Sequence, residues 1–264
     1  MKQEIQQLEP SVDLGMLVGL LLTDGSVSKR KTTWTIELTG KSEGLHEIFK
    51  EKVRKLFGKE LVESKDKRDM QLTKTKFSSV KIAKLLFEFT PTFRTRQFED
   101  GSFPNSKIPD FIFKLLSHEI SEILRVMFSA DGGISMWVSW HKKKQVWEIR
   151  KRVFLACKHP SIRKQIVALL KQVGIEAKDR KSGEVVIWKK SEIKKFRSLI
   201  RFVSRVKVTK DSKHWTGFEK TQILDIAIKT FDLKKRDLQK FKTKEEVINF
   251  VKSFLTAPVI TSAS

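Results

Sequence analysis

Two apolar runs in this chain end on the same dipeptide. "LVGLLLTDG" spans Leu17–Gly25 and "LRVMFSADG" spans Leu124–Gly132, so each delivers an Asp-Gly step, Asp24-Gly25 and Asp131-Gly132, at the end of a segment with the character of a buried helix. A carboxylate there meets the negative end of the helix dipole, at a cost of a few tenths of a kcal/mol or more. One such Asp reads as a core helix with an acid near a glycine stop. The same arrangement twice asks for a compensating cation, and a divalent ion would partner both carboxylates and cancel their repulsion. Gly19 and Thr23 share one helical face, as do Val126 and Ala130, and small residues at this spacing let two helices pack side by side. Asp24 and Asp131 then emerge together, where they can hold Mg²⁺ for phosphodiester hydrolysis, the ion activating water and stabilising the developing charge.

The flanking sequence supplies a scaffold for each acid. Ser11 is suited to cap a helix from about Val12, and Gly25 to stop it. In "SVSKRKTTWTIELTG", Trp34, Ile36 and Leu38 alternate with Thr33, Thr35 and Glu37, a strand with one apolar and one polar face. "SEGLHEIFKEKVRKLFG" carries Leu45, Ile48, Phe49, Val53, Leu56 and Phe57 at helical spacing, and two short strands around "SKDKRD" lead to the helix "SSVKIAKLLFEF". After the connector "PNSKIPDF" the order starts again. Ser117 is expected to cap the second Asp-Gly helix, "ISMWVSW" and "VWEIRKRVFLAC" form a hairpin around "HKKK", and "HPSIRKQIVALLKQVG" and "GEVVIWKKSEIKKFRSLI" complete the unit.

The repeat is α-β-β-α-β-β-α. It predicts an α+β protein of two pseudo-symmetric lobes packed through the two Asp-Gly helices, each lobe with an antiparallel sheet whose polar face is open. The expected divisions are a first lobe at 1–103, a linker at 104–116, and a second lobe at 117–264 that includes C-terminal bracing helices in "TQILDIAIKTF" and "KEEVINFVKSFL". "TAPVITSAS" reads as a disordered tail.

Composition narrows the partners. A net charge of +23 repels itself unless a polyanion neutralises it, which puts nucleic acid first. No segment approaches the ~18 uninterrupted apolar residues of a spanning helix, so no membrane partner is expected. Cys157 is the single cysteine and the five histidines are scattered, which excludes internal disulfides and cysteine-rich zinc sites. "MKQEIQQLEP" lacks an apolar leader core, so the expected location is intracellular: cytoplasmic, or inside the organelle that encodes the protein.

"LVGLLLTDG" and "LRVMFSADG", within the α-β-β-α-β-β-α repeat, resemble the two motif copies of single-chain LAGLIDADG homing endonucleases, over roughly residues 11 to 205. Val126, where the first copy has Gly19, is a departure that leaves the acids untouched. The resemblance implies that Asp24 and Asp131 bind metal, joined by the backbone carbonyls of Thr23 and Ala130, with Mg²⁺ as cofactor and Mn²⁺ able to substitute. It also implies a basic or polar residue before the second helix of each lobe that polarises water or phosphate. Lys41 in "TGKSE" and Lys158 in "ACKHP" occupy that step, while Lys74 and Lys189 are weaker candidates whose register the sequence does not fix.

The open sheet faces are suited to the major groove of double-stranded DNA. Outward positions are Ser26, Ser28, Arg30, Thr33, Thr35 and Glu37 in the first lobe, and Ser135, Trp137, Ser139, Glu148, Arg150 and Arg152 in the second. Lys65, Lys67, Arg68, Lys142, Lys143, Lys178 and Arg180 are expected to join them, mostly on phosphates. The expectation is a monomeric, Mg²⁺-dependent, site-specific endonuclease that breaks both strands, one per carboxylate. The alternatives are an RNA maturase that takes intron RNA as partner, and a non-catalytic DNA-binding regulator.

Overall fold

The computed structural model describes residues 8–30, 32–67, 69–209, 212 and 214–255, the side chains of Arg30 and Lys235 excepted. The first lobe runs α1 (Val12–Leu22), β1 (Gly25–Arg30), β2 (Thr33–Gly40), α2 (Glu43–Phe57), β3 (Val62–Lys65), β4 (Thr73–Ser78) and α3 (Val80–Phe89). A 3-10 turn at Asp110–Lys114 leads to the second: α4 (Ser117–Ala130), β5 (Gly132–His141), β6 (Val146–Ala156), α5 (Pro160–Gln172), β7 (Lys178–Arg180), β8 (Glu184–Ile187) and α6 (Lys190–Leu199). Three helices follow: α7 (Lys220–Lys229), α8 (Lys235–Gln239) and α9 (Lys244–Ser253). The predicted repeat is therefore present element for element. The expected tail "TAPVITSAS" lies outside the described residues.

Both sheets are four-stranded and antiparallel, in the orders β1-β2-β4-β3 and β5-β6-β8-β7. Their registers coincide as well. Gly25 pairs with Leu38 in one lobe and Gly132 with Leu155 in the other. The N–H of Thr39 donates to the Asp24 carbonyl at 3.1 Å, and that of Ala156 to the Asp131 carbonyl at 2.9 Å. Each acid is thus tied at its backbone to the last residues of the second strand of its own lobe.

Apolar burial joins the lobes. Leu14, Leu17, Val18, Leu20 and Leu21 of α1 and Ile123, Leu124, Val126 and Phe128 of α4 have no exposed surface, and burial of a side chain of this size is worth ~1.5–3 kcal/mol. The small residues of α1 face α4 as the spacing suggests: a β-carbon at Gly19 would lie 3.0 Å from Met127 Cγ and 3.5 Å from Val126 Cγ2. Asp13 ties α1 to α2 through Lys52 at 2.8 Å.

One local expectation is corrected. Ser117 is the first helical residue of α4 rather than its cap; Leu116 precedes the helix, and the Glu119 carboxylate accepts from the Leu116 N–H at 2.9 Å. The segment 104–116 packs on α5, where Gln165 bonds both N–H and carbonyl of Ile108, at 2.9 and 3.2 Å. The segment after α6 touches the first lobe: Arg205 pairs with Glu47 of α2, and Gly44 lies against the Ser204 carbonyl with no room for a β-carbon.

The Asp-Gly glycines also have a different task from stopping a helix. Neither Gly25 nor Gly132 adopts a positive φ. What they provide is room for strand to leave helix at once. A β-carbon on Gly132 would lie 2.6 Å from the carbonyl oxygens of both Phe128 and Phe154, and one on Gly25 would lie 2.6 Å from Leu21 Cα. Backbone cannot yield as a side chain can. Gly132→Ala is expected to destabilise the protein by about 1–3 kcal/mol, as overpacking does, seen as a lower denaturant midpoint. An unchanged midpoint would mean the turn has slack.

Candidate active site

The C-terminal ends of α1 and α4 position the two acids. Thr23 Oγ1 donates to the carbonyls of Gly19 at 2.9 Å and Leu20 at 3.1 Å, closing α1 immediately before Asp24. Asp131 itself caps α4, its N–H donating to the Met127 carbonyl at 3.2 Å. Burial raises both carboxyl pKa values. Asp131 is pushed to about 7, by burial first and then by the nearby charge of Asp24. The structure therefore brings the two sequence-predicted acids within electrostatic reach of each other.

A group missed by sequence reading completes the site. Lys220, the first residue of α7, donates from Nζ to the carbonyls of Gly132 at 2.6 Å, Ser129 at 2.7 Å and Ala130 at 3.5 Å. Burial draws its pKa down to about 8 against the pull of Asp24 and Asp131. Its ammonium lowers the pKa of both acids, and Arg96, in the segment after α3, acts on Asp131 in the same sense. A lysine at the first position of a helix opposes the dipole, which is a signal, but a weak one among 54 Lys and Arg.

The predicted lysines have other neighbours in the structure. Lys41 pairs with Asp69 at 3.2 Å and bonds Gln71, in the β3–β4 turn, at 3.0 Å. Lys158 is exposed beside the β7–β8 turn, its Cα 3.6 Å from where a Gly183 side chain would begin. Neither is among the charges that act on Asp24 or Asp131. Lys74 pairs with Asp66 at 2.7 Å and Lys189 with Glu176 at 2.6 Å. One residue earlier than each predicted lysine, the chain does reach the acids. A β-carbon on Gly40 would lie 3.7 Å from Asp24 Oδ2. The Cys157 thiol, at the matching step, is pushed up to about 11 by burial, with the Asp131 charge adding to the shift.

On the sheets, alternation holds in β5 from Ile134 to Ser139, where Ile134, Met136 and Val138 are buried, Ser135 and Ser139 half-buried and Trp137 exposed, and it lapses at Trp140, which is exposed. In β2 it is corrected at Thr35 and Glu37, which are only 6% and 8% exposed. As residues of a central strand they are shaded on both sides, Thr35 by Ser28 and Ser78, Glu37 by Ser26 and Lys76. Glu37 Oε1 accepts from Thr39 at 3.0 Å while its Oε2 has no partner. Ser26, Lys67, Lys142, Lys143, Lys178 and Arg180 are exposed, and Ser28 and Thr33 half-buried. Lys65 bonds Thr73 at 2.9 Å, Arg150 pairs with Glu148 at 3.3 Å, and Arg152 holds Glu184 with two bonds of 2.8 and 3.2 Å. The Arg30 side chain and Arg68 lie outside what the structure describes.

No protein-family model and no curated protein matches the sequence. Solved structures do match its fold. The I-LtrWI LAGLIDADG homing endonuclease bound to target DNA is 15% identical, the match covering 92% of this chain and 98% of that one with a TM-score of 0.54. For the LAGLIDADG meganuclease I-AabMI bound to uncleaved DNA the identity is 12%, the coverage 91% and 98%, and the TM-score 0.53. I-DmoI in complex with DNA and Mn matches 73% of this chain and 97% of its own at 17% identity, with a TM-score of 0.46. The chain has the two-lobe LAGLIDADG fold, with its two motif helices, α1 and α4, at the centre.

Proposed function

We propose that this protein is a site-specific DNA endonuclease that uses a divalent metal, Mg²⁺ in the cell, to break both strands of its target. The observation that carries the reading is the pair of half-buried acids, Asp24 and Asp131, at equivalent steps of two lobes whose fold is that of endonucleases bound to DNA.

The donor chemistry suits such an ion. Among the described residues no group of three or more His, Cys, Asp or Glu side chains could hold a metal. The donors on offer are two carboxylates and the helix-end carbonyls of Thr23 and Ala130, an all-oxygen set that suits a hard cation retaining several waters. When bound, the ion supplies Lewis acidity and a water of lowered pKa. The chain's own residues do the rest. Asp24 and Asp131, raised in pKa, favour any cation that lets them ionise. Lys220 fixes the α4–β5 turn and presents a positive charge to the phosphate whose negative charge grows during attack. Its bond to Ala130 is the longest of the three, so that carbonyl is the least engaged.

Charge and polar geometry support DNA as the substrate. The net charge of +23 supplies phosphate affinity. Glu37 Oε2 and Ser139 Oγ, both at outward sheet positions, are buried without a hydrogen-bond partner.

Selection of cleaved sites from a randomised DNA library, with Mg²⁺ and with chelator, tests the proposal. The expected result is one Mg²⁺-dependent, non-palindromic consensus, bound by a monomer in sedimentation. A consensus that is bound and never cut would favour the regulator. Preferential binding of structured intron RNA would favour the maturase.

A further inference from the structure

The two lobes hold the turn beside each acid with the same device built from different side chains. In the first lobe Ser42 precedes α2, and in the second His159 precedes α5. Four residues into each helix stand His46 and Arg163, both nearly fully buried. Each reaches back to the carbonyl two residues before its cap. His46 Nε2 donates to the Gly40 carbonyl at 3.2 Å, and Arg163 Nη1 to the Cys157 carbonyl at 2.9 Å and the Lys158 carbonyl at 2.6 Å. Each also engages the sheet beneath at equivalent rungs. His46 Nδ1 meets Thr75 Oγ1 at 2.7 Å, Thr75 bonds Glu63, and Arg163 Nε bonds Asp179. Glu63 lies opposite Thr75, which lies opposite Leu38; Asp179 lies opposite Val185, which lies opposite Leu155.

Those clamped carbonyls belong to residues close to the acids, Gly40 against Asp24 and Cys157 within electrostatic reach of Asp131 and next to Ala156, which bonds the Asp131 carbonyl. One residue earlier, Thr39 and Ala156 hold the acids' own carbonyls. We propose that His46 and Arg163 are equivalent positioning residues, each fixing the strand end beside one acid and so the geometry of one half of the site. This rests on the endonuclease reading for its catalytic consequence but not for the clamp itself. The halves are unequally built. Arg163 grips two carbonyls and an acid with a fixed, permanently charged fork, whereas His46 grips one carbonyl and a hydroxyl with a smaller ring whose pKa burial holds low.

Two readouts test the proposal on the full-length protein. Cys157 is the single thiol and its own carbonyl is clamped by Arg163, so its rate of reaction with a disulfide reagent reports on that turn without DNA or metal. Arg163→Met is expected to raise the rate about tenfold or more, Arg163→Lys less, and His46→Leu not at all. With both strands of a cleaved target labelled, Arg163→Met should slow single-turnover nicking of one strand and His46→Leu of the other, each by about 10–100-fold, the usual cost of losing an orienting partner. His46→Asn, which can still donate to Gly40, should restore most of the loss. Equal slowing of both strands by either variant, alongside a lower melting temperature, would reduce both residues to general stabilisers and overturn the proposal, as would unchanged thiol reactivity in folded Arg163→Met. If the wild-type protein cuts no DNA, the endonuclease reading fails while the thiol measurement still decides the clamp.

Discussion

Asp24→Asn and Asp131→Asn are each expected to reduce double-strand cleavage by at least about 10³-fold while leaving DNA affinity largely intact, since loss of one oriented electrostatic group at a reacting phosphate costs this much. The substitution keeps size and removes charge, so gel assays of binding and nicking separate chemistry from folding. Either variant cutting both strands at the wild-type rate would rule out a shared metal-binding pair. A stability change of opposite sign should accompany the loss. The Asp131 carboxyl in the metal-free protein has its pKa raised from 3.8 to about 7. A raised carboxyl means the folded state binds its proton more tightly than the unfolded chain does. The Asp131 carboxyl therefore carries no penalty to metal-free stability below about pH 4, a growing one between about pH 4 and pH 7, and a constant one above that. Asn at 131 removes the penalty, so the metal-free variant should melt higher than the wild type at pH 8 and no higher at pH 4. For a domain of this size each kcal/mol relieved appears as about 2–4 °C. Saturating Mg²⁺ should shrink or reverse the difference, because only the wild type gains from the ion.

How far the sequence discloses this arrangement follows from which features are local. Trp34, Ile36 and Leu38 alternate, and Leu45, Phe49, Val53 and Phe57 recur at helical spacing, because one face of each element must be buried. Such patterns repeat visibly, so the doubled element order and the two acids could be read directly. What could not be read depends on neighbours that are distant in sequence. Thr35 and Glu37 face the polar side of β2 as alternation says, yet in a central strand flanked by β1 and β4 they are buried. Lys41 and Lys158 do stand at equivalent steps, one residue before Ser42 and His159, but equivalence in the chain does not decide where a flexible ammonium finds its carboxylate. The glycine after each Asp was legible as a residue type and not as a reason: a stop signal and a close approach both call for Gly, and only the 2.6 Å separation from backbone tells them apart.

Lys220 is the clearest case of a site residue hidden by distance, 89 residues beyond Asp131 and outside the repeat, and its loss should have the second-largest effect. Lys220→Met is expected to slow single-turnover cleavage by about 10²–10³-fold. Two physical losses combine. The carbonyls of Ser129 and Gly132 lose a charged donor at 2.7 and 2.6 Å, worth about 1.5–3 kcal/mol for a hydrogen bond to a charged group, so the α4–β5 turn that carries Asp131 loosens. Both acids also lose the cation that lowers their pKa, so the pH at which Mg²⁺ first competes with protons should move upward. Lys220→Arg keeps the charge but replaces a compact ammonium with a planar fork, which cannot converge on three carbonyls in the same way, and it should recover only part of the rate. Kinetics on saturated complexes, taken across a Mg²⁺ and pH series, separates the two losses. If high Mg²⁺ and high pH restore Lys220→Met to the wild-type rate, the ammonium serves only to help the acids ionise. A deficit that persists there would assign it to the turn or to the phosphate itself, and a wild-type rate under all conditions would leave it a structural tie between α7 and the end of α4.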